Sequence, residues 1–411
     1  MGSRGPLARQ ARGPVTCFHR RRRHKTRWWP LLARFALAIG PRAVAFALAS
    51  PAAAMLIAAG FLPPLVLAFT AWWVIDARER EPARWAVRTF GWGLFATFLA
   101  GILNSGIAAW FASHFPTVPP GHLMTVFIAP VVEESLKACG VLFIFLVYPR
   151  QFGGVVDGIV YAALTGLGFE LAENVFYHLD AFAAGGLARL EQVAFIRVVI
   201  FAAGHAMITT FTGVGLGLAA FAGSPRRKWA LALTGFGLAI TMHGLHNFLV
   251  GIDETLHPGV AILSSVALAW SGNCLWLVVV VLAIRAETRW IRQELATEVK
   301  QGTLRPEDAI AAGGLVARIR RNAAVFPLRS EHTRRERALL WRLDELAARL
   351  AMAKHRQQSK PRDPDLKHVV ARYRARCRRL TRRLGGGAGA GHGKAAGKSA
   401  PRNTAEVQPA C

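Results

Sequence analysis

Polar positions in this chain divide it into long apolar blocks, each the length of a whole helix. From Leu31 to Ile75 the sequence is almost continuously apolar, broken by Arg34, Pro41-Arg42, Pro51 and Pro63-Pro64. The charged segment Asp76-Ala77-Arg78-Glu79-Arg80-Glu81-Pro82 follows. Further apolar blocks run over 87–112, 123–147, 153–178, 193–221, 229–250 and 260–284. A helix of about 20 apolar residues crosses ~30 Å of hydrocarbon, so each block predicts a membrane span. Two more fit within 31–75, without sharp boundaries, for a total of eight. The expected fold class is all-α: a polytopic bundle of about eight transmembrane helices.

The loops test that count. Those at 76–86, 149–152 and 224–228 carry arginine or lysine, including Pro225-Arg226-Arg227-Lys228. Those at 113–122 and 251–259 carry neither, and the loop at 179–192 carries only Arg189, beside Asp180 and Glu191. Basic loops stay on the cytoplasmic side, so the alternation predicts an even number of spans with both termini cytoplasmic.

Composition agrees. A chain that is 53% hydrophobic yet carries a net charge of +27 does not suit a soluble domain and suits a membrane protein with basic ends. Residues 1–30 form a basic, disordered N-terminal tail, densest at Arg20-Arg21-Arg22-Arg23. Such clusters are drawn to an anionic lipid surface at ~1 kcal/mol per residue; no specific nucleic acid is expected. Residues 31–284 form the membrane domain, and 285–384 a basic amphipathic helical tail with candidate helices at 285–300, 331–357 and 364–384. From Gly385 to Cys411 the sequence is low in complexity and expected to be disordered. Cys17, Cys139, Cys274, Cys377 and Cys411 are scattered, which predicts neither a disulfide framework nor a thiolate zinc site. No cleavable signal peptide is evident.

Ionisable groups inside the spans change the picture. Glu133, Glu134 and Lys137 lie in Ala129–Cys139, where a charge at the bilayer centre costs roughly 2.5–3.5 kcal/mol. Lys137 is i+4 from Glu133 and i+3 from Glu134, so one helical face can pair them. In block 153–178, Glu170, Glu173 and Asn174 share a face, while Asp157 stands near the helix start. His205 follows Arg197 by two turns, and His243, His246 and Asn247 share a face in block 229–250. The loop-charge topology puts Glu133 about ten residues, or ~15 Å, below the outer surface, and the other groups fall in the same outer half. Each has a bland reading: a structural ion pair, a hydrogen-bonded histidine, or asparagine links of ~0.6–2 kcal/mol between helices. Carboxylates and imidazoles at one depth on four consecutive spans instead predict a functional intramembrane site.

Such a site suits water activation. A glutamate can act as general base, histidine and glutamate can ligate zinc, and asparagine can donate to an oxyanion. A proton-coupled transporter or channel would use the same buried Glu and His groups, and an adaptor would use only the basic tail. No inverted repeat favours the transporter.

The order Glu133-Glu134-x-x-Lys137, Phe169-x-x-x-Glu173-Asn174, His205, then His243-x-x-x-Asn247 resembles the PrsW family of intramembrane proteases, within the superfamily of the CAAX prenyl endopeptidases and bacteriocin-processing proteases. Asp157-Gly158, Asp76 and Glu81-Pro82 fit the resemblance, which spans roughly Ile75 to Val250. It implies an endopeptidase of the bacterial inner (cell) membrane that cuts membrane-associated proteins, membrane-anchored anti-sigma factors being one substrate class. It implies Zn²⁺ or, as argued for the superfamily, a metal-free glutamate mechanism. By residue, it makes Glu133 or Glu134 the general base, with Lys137 pairing the other. Glu173 becomes a second acid or metal ligand, His205 and His243 zinc ligands or oxyanion stabilisers, and Asn174 and Asn247 substrate or oxyanion contacts. His246 ranks lower, and Glu170 leaves open which carboxylate of its helix acts.

Overall fold

The computed structural model describes residues 50–75, 82–119, 121–251, 258–324, 331–359 and 364–390. The chain divides into two units, Met1–Ala54 and Met55–Cys411. Of the first, residues 50–54 are described and open helix α1, Pro51–Ala59. The N-terminal basic tail, the expected span before residue 50 and Asp76 to Glu81 lie outside the described residues.

The described elements are all helical. After α1 come α2 (Leu62–Thr70), α3 (Ala83–His114), α4 (Ala129–Val147), α5 (Val155–Ala194), α6 (Gly204–Ala220), α7 (Pro225–Gly251) and α8 (Pro258–Lys300). Pro51, Pro225 and Pro258 each stand first in their helix, where the missing N–H costs no hydrogen bond. Among the described residues, four helical runs are long and apolar enough to cross a membrane: Pro51–Ile75, Ala83–His114, Val155–Ala220 and Val266–Lys300. The chain is therefore an integral membrane protein built of helices. The count of eight spans rests on the apolar blocks and loop charges of the sequence.

The core sits around α5, whose first half is buried from Val156 through Ala172, Leu171 excepted, between α3 and α6. Glycine permits that density. A Cβ on Gly158 would stand 2.1 Å from the Gly213 carbonyl oxygen, and one on Gly166 2.5 Å from that of His205, so α5 and α6 approach backbone to backbone. The expected loop at 179–192 is instead helical, and α5 runs on to Ala194. It breaks at Gly185-Gly186, where Gly186 takes a φ of 62° that favours glycine. Two π-helical turns, Leu123–Ile128 and Phe195–Ile200, lead into α4 and towards α6.

The tail forms a helical bundle. Helix α8 continues unbroken from the membrane block to Lys300. Beyond it lie α9 (Pro306–Ala312), α10 (Leu315–Ala324), α11 (Glu331–Ser359) and α12 (Pro364–Ala390). The first two were not foreseen in the sequence. Ile291, Leu295, Leu343, Leu350 and Cys377 are buried together in a separate apolar core. Residues 391–411 lie outside the described residues. The bundle meets the membrane block where Arg356 donates to the Phe152 carbonyl oxygen and His355 meets Phe221 edge-on. Asp157, buried at the start of α5, accepts the Gly153 N–H there.

Candidate active site

Helix α4 delivers Glu133, Glu134 and Lys137 into the core, all three buried. The Lys137 ammonium lies 2.8 Å from Glu134 Oε1 and 3.7 Å from Glu133 Oε2, so Glu134 is its partner. The same ammonium stands 2.9 Å from His205 Nδ1 and 3.8 Å above the Phe169 ring centroid. Ion pair, imidazole and aromatic face together offset the cost of burying this charge.

Glu134 is saturated. Its Oε1 takes Lys137 and, at 3.0 Å, His243 Nδ1; its Oε2 takes the Thr209 hydroxyl at 3.1 Å. An ionised carboxylate only accepts, so His243 carries its proton on Nδ1 and turns the Nε2 lone pair the other way. That lone pair faces Glu133 Oε2 at 3.8 Å. Glu133 Oε2 is buried and has no hydrogen-bond partner.

The other side of the pocket follows the same logic. His205 Nε2 lies 2.8 Å from Glu173 Oε2, and its backbone N–H donates to Glu170 Oε2 at 3.2 Å. An ammonium on Nδ1 requires that ring nitrogen to accept, so Nε2 is the donor to Glu173. Arg197, carried by the π turn, donates to Glu173 Oε2 and, through Nε, to Asn174 Oδ1 at 2.7 Å, while lying over Tyr177. Arg197, Glu173, His205, Lys137, Glu134 and His243 thus form one chain of alternating donors and acceptors. It ends at the free oxygen of Glu133.

The structure brings Glu133, Glu134, Lys137, Glu173, His205 and His243 together, and sets Asn174 beside them with a buried, unpartnered Nδ2. Two residues stand apart. Asn247 donates to the Thr125 carbonyl at 2.8 Å, within the π turn before α4. His246 meets Phe201 edge-on. Arg197 and Thr209 had no role in the sequence reading. Thr209 is i+4 from His205, the one signal that could have drawn attention to it.

Glu133, His205 and His243 each offer a ligand atom within 4.8 Å of the others. The unpartnered Glu133 oxygen and the His243 lone pair opposite it are donors a divalent cation takes, and His205 completes the set by turning a ring nitrogen from Lys137 to the ion, so these residues fit a metal.

Residues 81–284 match the family model described as PrsW family intramembrane metalloprotease. The chain is 28% identical over 199 residues to Protease PrsW of Geobacillus kaustophilus, covering 48% of this chain and 81% of that protein. It is 29% identical over 199 residues to Protease PrsW of Bacillus subtilis, covering 47% and 82%. Over a shorter 121 residues it is 32% identical to Protease PrsW of Oceanobacillus iheyensis, covering 29% and 51%. No solved structure matches the chain significantly.

Proposed function

From these matches we infer that the chain is a membrane peptidase of the PrsW family of intramembrane metalloproteases. From that premise we propose that Glu133 is the general base that activates water for hydrolysis of a peptide bond within the bilayer. The observation that carries this reading is the buried Glu133 Oε2 without a hydrogen-bond partner, beside a Glu134 that three donors already occupy. A base needs a lone pair free to take a proton; Glu133 Oε2 accepts no hydrogen bond, whereas both oxygens of Glu134 already accept one or two.

The remaining groups take supporting roles. Glu134 holds Lys137 and sets the His243 tautomer. Glu173, kept in place by Arg197, orients His205. The free Asn174 amide donates to the oxyanion of the tetrahedral intermediate. Asn247 secures the π turn that precedes α4. Glu133, His205 and His243 would hold a zinc ion, with Glu133 then a ligand rather than the base, and the ion would supply acidified water and a polarised scissile carbonyl.

The substrates are membrane-associated proteins, with anti-sigma-factor-like regulators the expected class. The proposed location is the bacterial inner membrane, as the family resemblance implies, with eight spans from the apolar blocks and both termini cytoplasmic from the loop charges. Anionic lipid meets its basic ends.

Co-expression with a membrane-anchored substrate tests the assignment. Glu133→Gln is expected to abolish cleavage while the protein still inserts, and full cleavage by that variant would remove Glu133 as base. Metal content of the solubilised protein, wild type against His205→Ala and His243→Ala, tests the ligand set. Zinc near one per chain, lost in both variants, is expected; equal zinc in all three would rule the set out.

A further inference from the structure

Among the described residues beyond Ile284, the large apolar side chains that remain exposed are Ile310, Val316 and Ile319, at 51, 62 and 51%. All three fall on the α9–α10 corner of the tail bundle. Chance exposure would scatter them; clustered apolar surface marks a contact.

The outward face of α10 is set by its inward one. Arg321 donates to Asp308 at 2.9 Å and also pairs with Asp344. Arg318 lies 3.6 Å from Asp344. These buried pairs lock one side of α10 against α11. Val316 and Ile319, an i,i+3 pair, are left on the other side with the exposed Arg320.

Height decides what covers them. Ile284 of α8 packs in the same apolar cluster as Val155 and Val156, the first residues of α5. In the sequence, the apolar block 260–284 ends and the block 153–178 begins here, which sets this level at the cytoplasmic membrane face. Thr288 lies four residues further along, or ~6 Å at 1.5 Å per residue. A Cβ on Gly313, in the α9–α10 connection, would stand 3.5 Å from the Thr288 carbonyl oxygen and 3.0 Å from Arg292 Cγ. The corner therefore sits within a turn or two of the bilayer surface. The lipid-facing side of α8, with Leu282 at 55% exposure, leads up to it. Exposed Arg285, Arg289 and Arg292 stripe α8 over the same height.

We propose that the α9–α10 corner is an interfacial membrane anchor. Ile310, Val316 and Ile319 enter the headgroup–acyl boundary, and Arg292 and Arg320 meet anionic headgroups. An apolar face flanked by arginine at the membrane level is the pattern of a helix lying in the interface, where each arginine also gains from anionic lipid. The tail bundle is then held flush with the membrane at two places, this corner and the Arg356 contact.

Spin labels on the full-length chain test this, with the native cysteines replaced and the protein in phosphatidylcholine vesicles with or without phosphatidylglycerol. Labels are placed through Ile319→Cys and Val316→Cys, with Leu282→Cys as lipid reference and Arg342→Cys as water reference. The expected result is an oxygen-over-nickel collision ratio at 319 severalfold above that at 342 and close to that at 282, rising with phosphatidylglycerol. A ratio at 319 equal to that at 342 in both vesicles overturns the proposal. Shielding from both reagents also overturns it, since a second copy or a soluble partner then covers the corner. Unchanged helical circular dichroism checks folding, and position 316 gives the second reading if the label at 319 disturbs α10.

Discussion

His243 gives its Nδ1 proton to the Glu134 oxygen that Lys137 also grips, at 3.0 Å and 2.8 Å. One carboxylate oxygen therefore fixes an ammonium from its own helix and an imidazole from α7. Everything the site needs on that side depends on Glu134 staying charged, whereas Glu133 Oε2 makes no hydrogen bond and has only longer contacts, 3.7 Å to Lys137 and 3.8 Å to His243.

The two adjacent glutamates should behave differently. Glu133→Gln is expected to lower cleavage by roughly 10²–10⁴-fold, the usual worth of a general base, with unfolding in detergent unchanged. Glu134→Gln strands a buried ammonium and should cost about 3–5 kcal/mol of stability as well as activity. Thermal unfolding beside cleavage separates them; equal destabilisation by both changes would contradict the division of roles.

Arg197 acts through Glu173. Arg197→Ala leaves that carboxylate without its guanidinium, and activity should fall roughly 10–100-fold, as for other groups that orient a ligand. Arg197→Lys restores charge but cannot serve Glu173 and Asn174 together in the fork geometry of arginine. An intermediate rate is expected, and a lysine variant as active as wild type would show that the Asn174 contact is idle.

Helix separation sets the site's dimensions. Gly158→Ala places a methyl 2.1 Å from the Gly213 carbonyl oxygen, so α5 and α6 must part. A loss of about 1–3 kcal/mol is expected from such overpacking. Unfolding in detergent measures it, and an unchanged midpoint would mean the two helices slide freely.

Cys377 reports on the tail bundle. Burial pushes its thiol up to about 12, so at neutral pH it is neither ionised nor accessible. A folded pKa above the unfolded one adds stability that is present below about 9 and lost as pH rises toward 12. Cys377 should resist maleimide in the native protein at pH 7 and react once denaturant opens the bundle. Labelling of Cys377 as fast as a cysteine introduced at the exposed tail position by Arg342→Cys would show that the bundle is open.

The spans and polar motifs were legible because periodicity and burial are local properties of sequence. An apolar block needs no partner to announce itself, and i,i+3 and i,i+4 spacing already put Glu134 beside Lys137. Spacing could not choose between Glu133 and Glu134, since both reach Lys137 along the helix. The choice came from Thr209 and His243, which hydrogen-bond only to Glu134.

By itself, the order of charges and apolar blocks determined that this chain is helical, membrane-embedded and equipped with acids and imidazoles on four successive spans. Tertiary structure decided the rest: Arg197 as the grip on Glu173, Asn247 on a backbone carbonyl away from the cluster, and a cored bundle where only a tail of amphipathic helices was expected. The physical reason is that a hydrogen bond joins atoms whose separation in space is set by packing. Gly158 against Gly213 and Gly166 against His205 fix how near α5 and α6 come, and no spacing within one helix encodes that distance.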